Sequence, residues 1–342
     1  MSIMRVARPA ALTTAAALVV LTASCSTSSS SGGGASHSTS QSTSASAGAS
    51  SQGTGTLEKT SVVVGALPVL DAAPLYLAIK NGYFARQGLT VRTLPVLQST
   101  AALPDLLHGV VDVIGGNYTS YFEGDSRGTL NVDVVGEALN CTQKEFEILA
   151  LPGSGITSPA KLAGKTIAVN LTSNVQTLAT DAILKAAGIT GKPTYVPIPF
   201  PQMAAALEAH RVDAISAVEP FASAAEHANG AIPVMSECQG PTDSLPLSGY
   251  FATASWVQKY PGTARAFERA MAQAQAYANA NPQAVRSILP SYIKITPAAA
   301  ANVVLGTYPA TIDVTSLQRM ADLMLADHML TGPLQVSRIV FR

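Results

Sequence analysis

The sequence predicts a two-lobed α/β fold, each lobe a mainly parallel sheet flanked by helices, with a hinge between them. Three observations carry this. Residues 61–96 read as one strand–loop–helix–strand unit, the same order of elements recurs about a hundred residues later, and the alanine-rich last third reads as long helices without chemistry of their own. A chain of 342 residues can hold one large or two small domains.

The first unit opens with Val62-Val63-Val64, a β-branched run too short for a helix and suited to a buried strand. A loop over 65–72 follows. Pro74 then sits where a first helical turn tolerates a missing N–H. Leu75, Leu77, Ala78 and Ile79 carry that helix to Asn81-Gly82, and Gly88-Leu89-Thr90-Val91 launch a second strand. A helix over 101–108, a strand over 110–114 and a loop at Gly115-Gly116-Asn117-Tyr118 complete the unit.

The second copy has a strand over 166–170, a loop over 171–173, a helix over 174–187 and a strand over 195–198. A helix over 202–210, a strand over 212–215 and a helix opening at Glu219-Pro220 follow. Gly88-Leu89 answers Gly188-Ile189, and Val111-Asp112-Val113-Ile114 answers Val212-Asp213-Ala214-Ile215. Two copies with so long a period exclude a solenoid. They predict two kindred lobes whose ligand loops lie beyond the carboxyl ends of parallel strands.

The link between lobes is expected at 146–151 and the return between 232 and 248, with 249–253 as a strand back in the first lobe. The expected division is a signal peptide over 1–24, a tether over 25–57, a discontinuous lobe one over 58–150 and 241–342, and lobe two over 151–240. Helices are expected over 262–280, 282–289, 297–306 and 315–330, where alanines favour helix and close packing.

Composition excludes some functions. Only 12% of residues are charged and the net charge is zero, so no basic run exists to neutralise nucleic-acid phosphates. Arg5 and Arg8 followed by an apolar stretch over 10–21 form a signal peptide, not a membrane span. Cys25 after Thr22-Ala23-Ser24 resembles a bacterial lipobox, with Thr22 departing from the usual Leu; a plain secretory signal cut nearby is the alternative. Residues 26–55 are nearly all Ser, Gly, Thr and Ala, a flexible tether useful to a lipid-anchored chain. With Cys25 set aside, Cys141 and Cys238 form an even pair in an oxidising compartment and are expected to bridge; two separate buried thiols are the alternative.

The stretch PLYLAIKNGYFARQGLTV resembles the start of the nitrate/sulfonate/taurine-type substrate-binding proteins of ABC importers, a group that includes binders of thiamine-pyrimidine precursors. GSGITSPAKLAGKTIAVN resembles that family's entry into its second lobe, and VDAISAVEPF its V-D-A-x-x-x-x-E-P signature. The similarity runs from about Val62 to about Leu330. It implies a periplasmic-binding-protein-like fold of type II and a hinge that closes on a small molecule. It further implies an ABC permease as partner and an exported lipoprotein on the outer face of the cell membrane. A monomer without cofactor is expected.

Candidate ligand contacts fall in four turns. Asp71 and Ala72 precede the first helix, where Asp is also a good turn or cap residue. Tyr76, on that helix, serves ligand or core. Asn117 offers donor and acceptor, Tyr118 an aromatic surface, and the glycines before them close backbone approach. Asn170, Thr172 and Asn174 are carried over from the family's second-lobe turn, where Ser173 or Asn174 also caps a helix. Val218 and Glu219 close the set, although Glu suits a helix start on structural grounds alone.

No HExxH, Walker loop, Rossmann glycine triplet or nucleophile elbow occurs, so neither a metal nor a catalytic group is expected. None of the polar candidates is Lys or Arg, which favours a neutral or amine-bearing heterocycle over a sulfonate. Two alternatives stand beside transport. One is an enzyme of the thiamine-pyrimidine-synthase-like branch, which this chain enters without the cysteine cluster and with Lys80 unpartnered. The other is a secreted sensory module.

Overall fold

The structure, a computed structural model, describes residues 56–342. Cys25, the targeting segment and nearly all of the tether lie outside the described residues.

Along the chain the strands are β1 (Ser61–Ala66), β2 (Thr90–Pro95), β3 (Val113–Asn117), β4 (Val132–Asn140), β5 (Phe146–Ala150), β6 (Thr166–Val169), β7 (Thr194–Pro197), β8 (Ala214–Val218), β9 (Ile232–Ser236) and β10 (Pro246–Thr253). The helices are α1 (Ala73–Lys80), α2 (Tyr83–Arg86), α3 (Leu103–Leu107), α4 (Tyr118–Ser126), α5 (Val175–Ala186), α6 (Phe200–Glu208), α7 (Phe221–Asn229), α8 (Ala254–Lys259), α9 (Pro261–Ala280), α10 (Pro282–Ile288), α11 (Pro297–Ala300) and α12 (Val314–Ala326). The described residues form two five-stranded sheets in the orders β2-β1-β3-β10-β4 and β7-β6-β8-β5-β9. This is the two-lobed arrangement that the repeat predicts.

Each sheet is mixed rather than mainly parallel in its pairing. β1 pairs parallel with β2 and β3, while β10 pairs antiparallel with β3 and β4. β6 likewise pairs parallel with β7 and β8, while β5 pairs antiparallel with β8 and β9. The reversed strand is in each case the first one after a crossing. The chain leaves each sheet at the carboxyl ends of its strands, enters the other at the same end, and must run backwards from there. For this reason residues 146–151, expected as the link, are largely strand β5 of the second sheet, and the outward crossing falls at 141–145.

The repeat holds at atomic detail. The N–H of Asp112 donates to the carbonyl of Val63, and its carboxylate accepts the Val63 N–H at 2.9 Å. The N–H of Asp213 donates to the carbonyl of Thr166, and its carboxylate accepts the Thr166 N–H at 2.8 Å. Each aspartate pins the start of its own strand to the strand beside it.

Two other expectations shift. The strand expected over 110–114 is β3, whose Gly115-Gly116-Asn117 was expected as a loop; those residues pair with Tyr250, Gly249 and Ser248 of β10. The helix expected over 297–306 keeps α-helical form only over Pro297–Ala300. Beyond it the chain turns onto the first sheet, with Gly306 pressed on Leu139 and Thr307 bridged to Asn140.

Helix α9 packs Phe267, Ala270, Met271 and Ala274 against Val62 and Val64 of β1 and Leu75 and Ala78 of α1. Small side chains let these helices approach the sheet closely. Ile148, Ile167 and Ile183 fill the outer face of the second sheet. A third apolar cluster runs from one lobe to the other, joining Leu70, Ile114 and Tyr121 to Leu178, Met203 and Ile215. Cys141, on the outward crossing, is disulfide-bonded to Cys238, on the return, with their Cα atoms 5.4 Å apart. The expected bridge therefore ties the two crossings together. Among the described residues no helix is long and apolar enough to cross a membrane.

Candidate functional site

A cavity lies at the seam between the lobes. From the first lobe it is lined by Leu67, Asp71, Ala72, Ser99, Gly116, Asn117, Ser248 and Tyr250, and from the second by Asn170, Asn174, Gln176, Phe200 and Val218, among others. These residues sit where the carboxyl ends of β1, β3, β6 and β8 face each other. Of the expected contacts, Asp71, Ala72, Asn117, Asn170, Asn174 and Val218 line this cavity.

Four expected contacts do not line it. Tyr76 stacks on Tyr292 with ring centroids 4.0 Å apart, the core alternative that its sequence left open. Tyr118 is fully buried, its ring lying over Gly249, where any Cβ would collide with it. It heads helix α4, and the backbone there turns its ring into the core between Phe122 and Phe251. Thr172 is exposed. Glu219 is buried and accepts the Ser223 hydroxyl at 2.6 Å and the Val304 N–H at 3.1 Å, so its carboxylate joins second-lobe residues to the segment after α11.

The two asparagines at helix starts both line the cavity and cap. The Asn117 side chain accepts the Ser120 N–H at 2.9 Å. The Asn174 side chain accepts the N–H groups of Gln176 and Thr177, and Thr177 returns the bond in a capping box. The donors at the start of α5 that could hold an anion are thus partly used. Gly116 lines the cavity and also sits against its own lobe. A Cβ there would meet Ser99 and Tyr121 at 2.7 Å, so its missing side chain admits these protein neighbours.

Sequence reasoning missed Ser99, Gln176, Phe200, Leu247, Ser248 and Tyr250 as lining residues. Gln176 accepts from the Asn170 N–H at 2.7 Å and donates to the Ser216 carbonyl at 2.6 Å, holding the turn after β6 to β8. Its one available signal was its place two residues into a helix already assigned to the cleft. Leu247, Ser248 and Tyr250 come from β10, whose insertion beside β3 depends on pairing that no local pattern displays.

Among the described residues, Asp71 is the one charged side chain that lines the cavity. Burial raises its carboxyl above the ordinary range, and the Ser248 hydroxyl, donating to it, works in the opposite direction. Across the seam, the Gln98 side chain donates to the Asn170 carbonyl at 2.6 Å, and Ser173 donates to the Glu123 carboxylate at 2.6 Å. The Leu70 N–H donates to the Glu219 carbonyl at 3.3 Å. The lobes are therefore held together by backbone and side chains around the cavity. Among the described residues no cluster of His, Cys, Asp and Glu is arranged to hold a metal.

Fold and seam together define a two-lobed binding-protein architecture. Residues 70–285 match the NMT1/THI5-like family model, and the chain belongs to that family. The alkanesulfonate-binding protein of Xanthomonas axonopodis pv. citri, solved with MOPS, superposes with a TM-score of 0.68 at 18% identity, covering 83% of this chain and 99% of that one. The periplasmic nitrate-binding protein of Synechocystis PCC 6803 gives 0.69 at 15% identity, covering 83% and 86%. The desulfurization enzyme DSZB gives 0.60 at 18% identity, covering 82% and 96%. At these identities the likeness is one of fold. No curated protein matches the sequence significantly.

Proposed function

We propose that this chain is the extracytoplasmic solute-binding lipoprotein of an ABC importer, which captures a small organic molecule in the seam cavity by hinge closure and presents the closed form to a permease. The supporting observations are the family membership, the binding-protein fold and a cavity walled by both lobes. Lipidation at Cys25 and a monomeric state complete the proposal.

One observation carries the ligand class: among the described residues Asp71 is the one carboxyl on a cavity wall without Lys, Arg or His. A buried anion such as a sulfonate or nitrate would face that carboxylate without a countercharge. A neutral or amine-bearing heterocycle instead gains a hydrogen bond to Asp71 and an aromatic face from Tyr250 or Phe200. Titration calorimetry against aminopyrimidines, other heterocyclic amines, taurine, alkanesulfonates and nitrate tests this. The expected outcome is binding by an amine-bearing member. Micromolar binding of taurine or an alkanesulfonate, with no binding of amines, overturns it.

The enzyme alternative draws on the shared fold of DSZB. In the form that the sequence suggests, it requires a reactive cysteine or a cofactor-binding lysine at the cavity. Cys141 and Cys238 are bonded to each other, and Lys80 is exposed and outside the lining. A secreted sensory module would bind ligand equally well but would not stimulate ATP hydrolysis by a reconstituted permease, which separates it from a transport component.

A further inference from the structure

Three carboxylates from three parts of the chain meet at the lobe seam. Asp71 comes from the segment between β1 and α1, Glu145 from the outward crossing, and Glu219 from the end of β8. Glu237, just past β9, lies near them. All but Glu145 are supplied with donors. Asp71 accepts the Ser248 hydroxyl, Glu219 accepts from Ser223 and Val304, and Glu237 accepts the hydroxyls of Ser216 and Thr180.

Glu145 is fully buried, and among the described residues neither of its carboxyl oxygens has a hydrogen-bond partner, the nearby Glu219 N–H being taken by the Glu145 main-chain carbonyl at 3.0 Å. The Tyr308 hydroxyl is also buried and unpartnered, and it lies in the field of Asp71 and Glu145. The cations nearby are engaged elsewhere or face water. Arg286 faces Tyr308 and donates to the Val303 carbonyl, and Lys144 is exposed. A carboxylate cannot be held as an anion beside two others without donors or a countercharge. Where several carboxyls share a site, the one without donors is the last to give up its proton.

We propose that Glu145 is a proton-binding site built into the seam, filled when the lobes close and emptied when they part. Closure brings Asp71 of one lobe and Glu219 of the other together around Glu145 and removes water. Parting the lobes separates the first two and hydrates the third. Burial and the charges of Asp71 and Glu219 push the closed-state Glu145 carboxyl well up, whereas the open state returns it toward the ordinary carboxylate range. The closed form therefore binds one more proton than the open form at neutral pH, and raising the pH favours opening by about tenfold per pH unit. The proposal shares with the transport reading only the motion of the lobes, and its test needs no ligand.

The Leu70 N–H donates across the seam to the main-chain carbonyl of Glu219, so its amide exchange reports parting of the lobes. The Val63 N–H, bonded to Asp112 within the first lobe, is the control. In the full chain, between about pH 5.5 and about pH 8, protection at Leu70 is expected to fall, after correction for intrinsic exchange, while that at Val63 holds. In Glu145→Gln, whose amide mimics the protonated acid, protection at Leu70 is expected to stay higher and to depend less steeply on pH. Should that variant not fold, Glu145→Leu removes the same titrating group and carries the same expectation of a flattened response. Wild-type seam protection that does not change relative to Val63 overturns the proposal, as does an undiminished pH response in the folded variant.

Discussion

Asp112 and Asp213 occupy the same position in the two sheets but differ in their surroundings. The Asp112 side chain is 2% exposed and also accepts from Lys59 at 2.5 Å and from the Trp256 indole at 2.8 Å. The Asp213 side chain is 43% exposed, and Lys165 lies 4.0 Å from it. Asp112→Ala leaves the indole and the Val63 N–H without an acceptor in a buried place, and is expected to cost about 3 kcal/mol. Asp213→Ala exposes its freed donor to water and is expected to cost about 0.5–1 kcal/mol. Urea denaturation of both variants checks the contrast, and equal losses would refute it.

Stability should fall from mildly acidic to mildly basic pH. Burial first of all raises Glu137 to about 7, Glu219 to about 7 and Glu237 to about 8. The folded chain therefore holds protons that the unfolded chain releases above its ordinary carboxyl range near 4.5. That contribution is complete below about pH 4.5 and is lost as pH rises through 7 to 8. Denaturation midpoints across this window check the sign. A rising midpoint would contradict it.

The Cys141–Cys238 bridge closes a loop with a sequence separation of 97. Replacing both cysteines by serine is expected to destabilise the chain by about 2–5 kcal/mol, chiefly through the gain in freedom of the unfolded chain. Thermal unfolding of the variant against wild type measures it. Free-thiol titration of the denatured, unreduced chain should find neither cysteine reactive.

Glu219→Ala leaves the Val304 N–H and the Ser223 hydroxyl without their shared acceptor. A loss of about 1–3 kcal/mol is expected. Glu219→Gln keeps an acceptor oxygen and should recover much of it. If the alanine variant is as stable as wild type by urea denaturation, Glu219 does not fasten this part of the seam.

Asp71→Asn keeps the shape of the lining and removes its charge. For any amine-bearing ligand found by calorimetry, affinity is expected to drop by about tenfold to a hundredfold, the worth of a hydrogen bond to a charged group. A neutral ligand held by the same wall should lose less. An amine whose affinity does not change would not be reading Asp71.

Much of the fold was legible because its determinants are local. Val62-Val63-Val64, Pro74 and the two Val-Asp pairs before β3 and β8 act within a few residues of themselves, and the ordered repeat of such signals declares two lobes. The Asp71, Asn117 and Asn174 turns were placed at the cavity because strand-to-helix turns in such sheets open on the same edge. What the sequence could not declare depends on partners far along the chain. Tyr76 could face ligand or core until Tyr292 met it, and Tyr118, expected to offer the ligand an aromatic surface, is drawn into the core over Gly249. Glu219 became a tie across the seam only when Val304 arrived there, and the solitude of Glu145 exists only because the crossing buries it among other acids. Periodicity and turn chemistry act through neighbours along the chain, whereas register, burial and charge pairing are fixed by residues that only folding brings together.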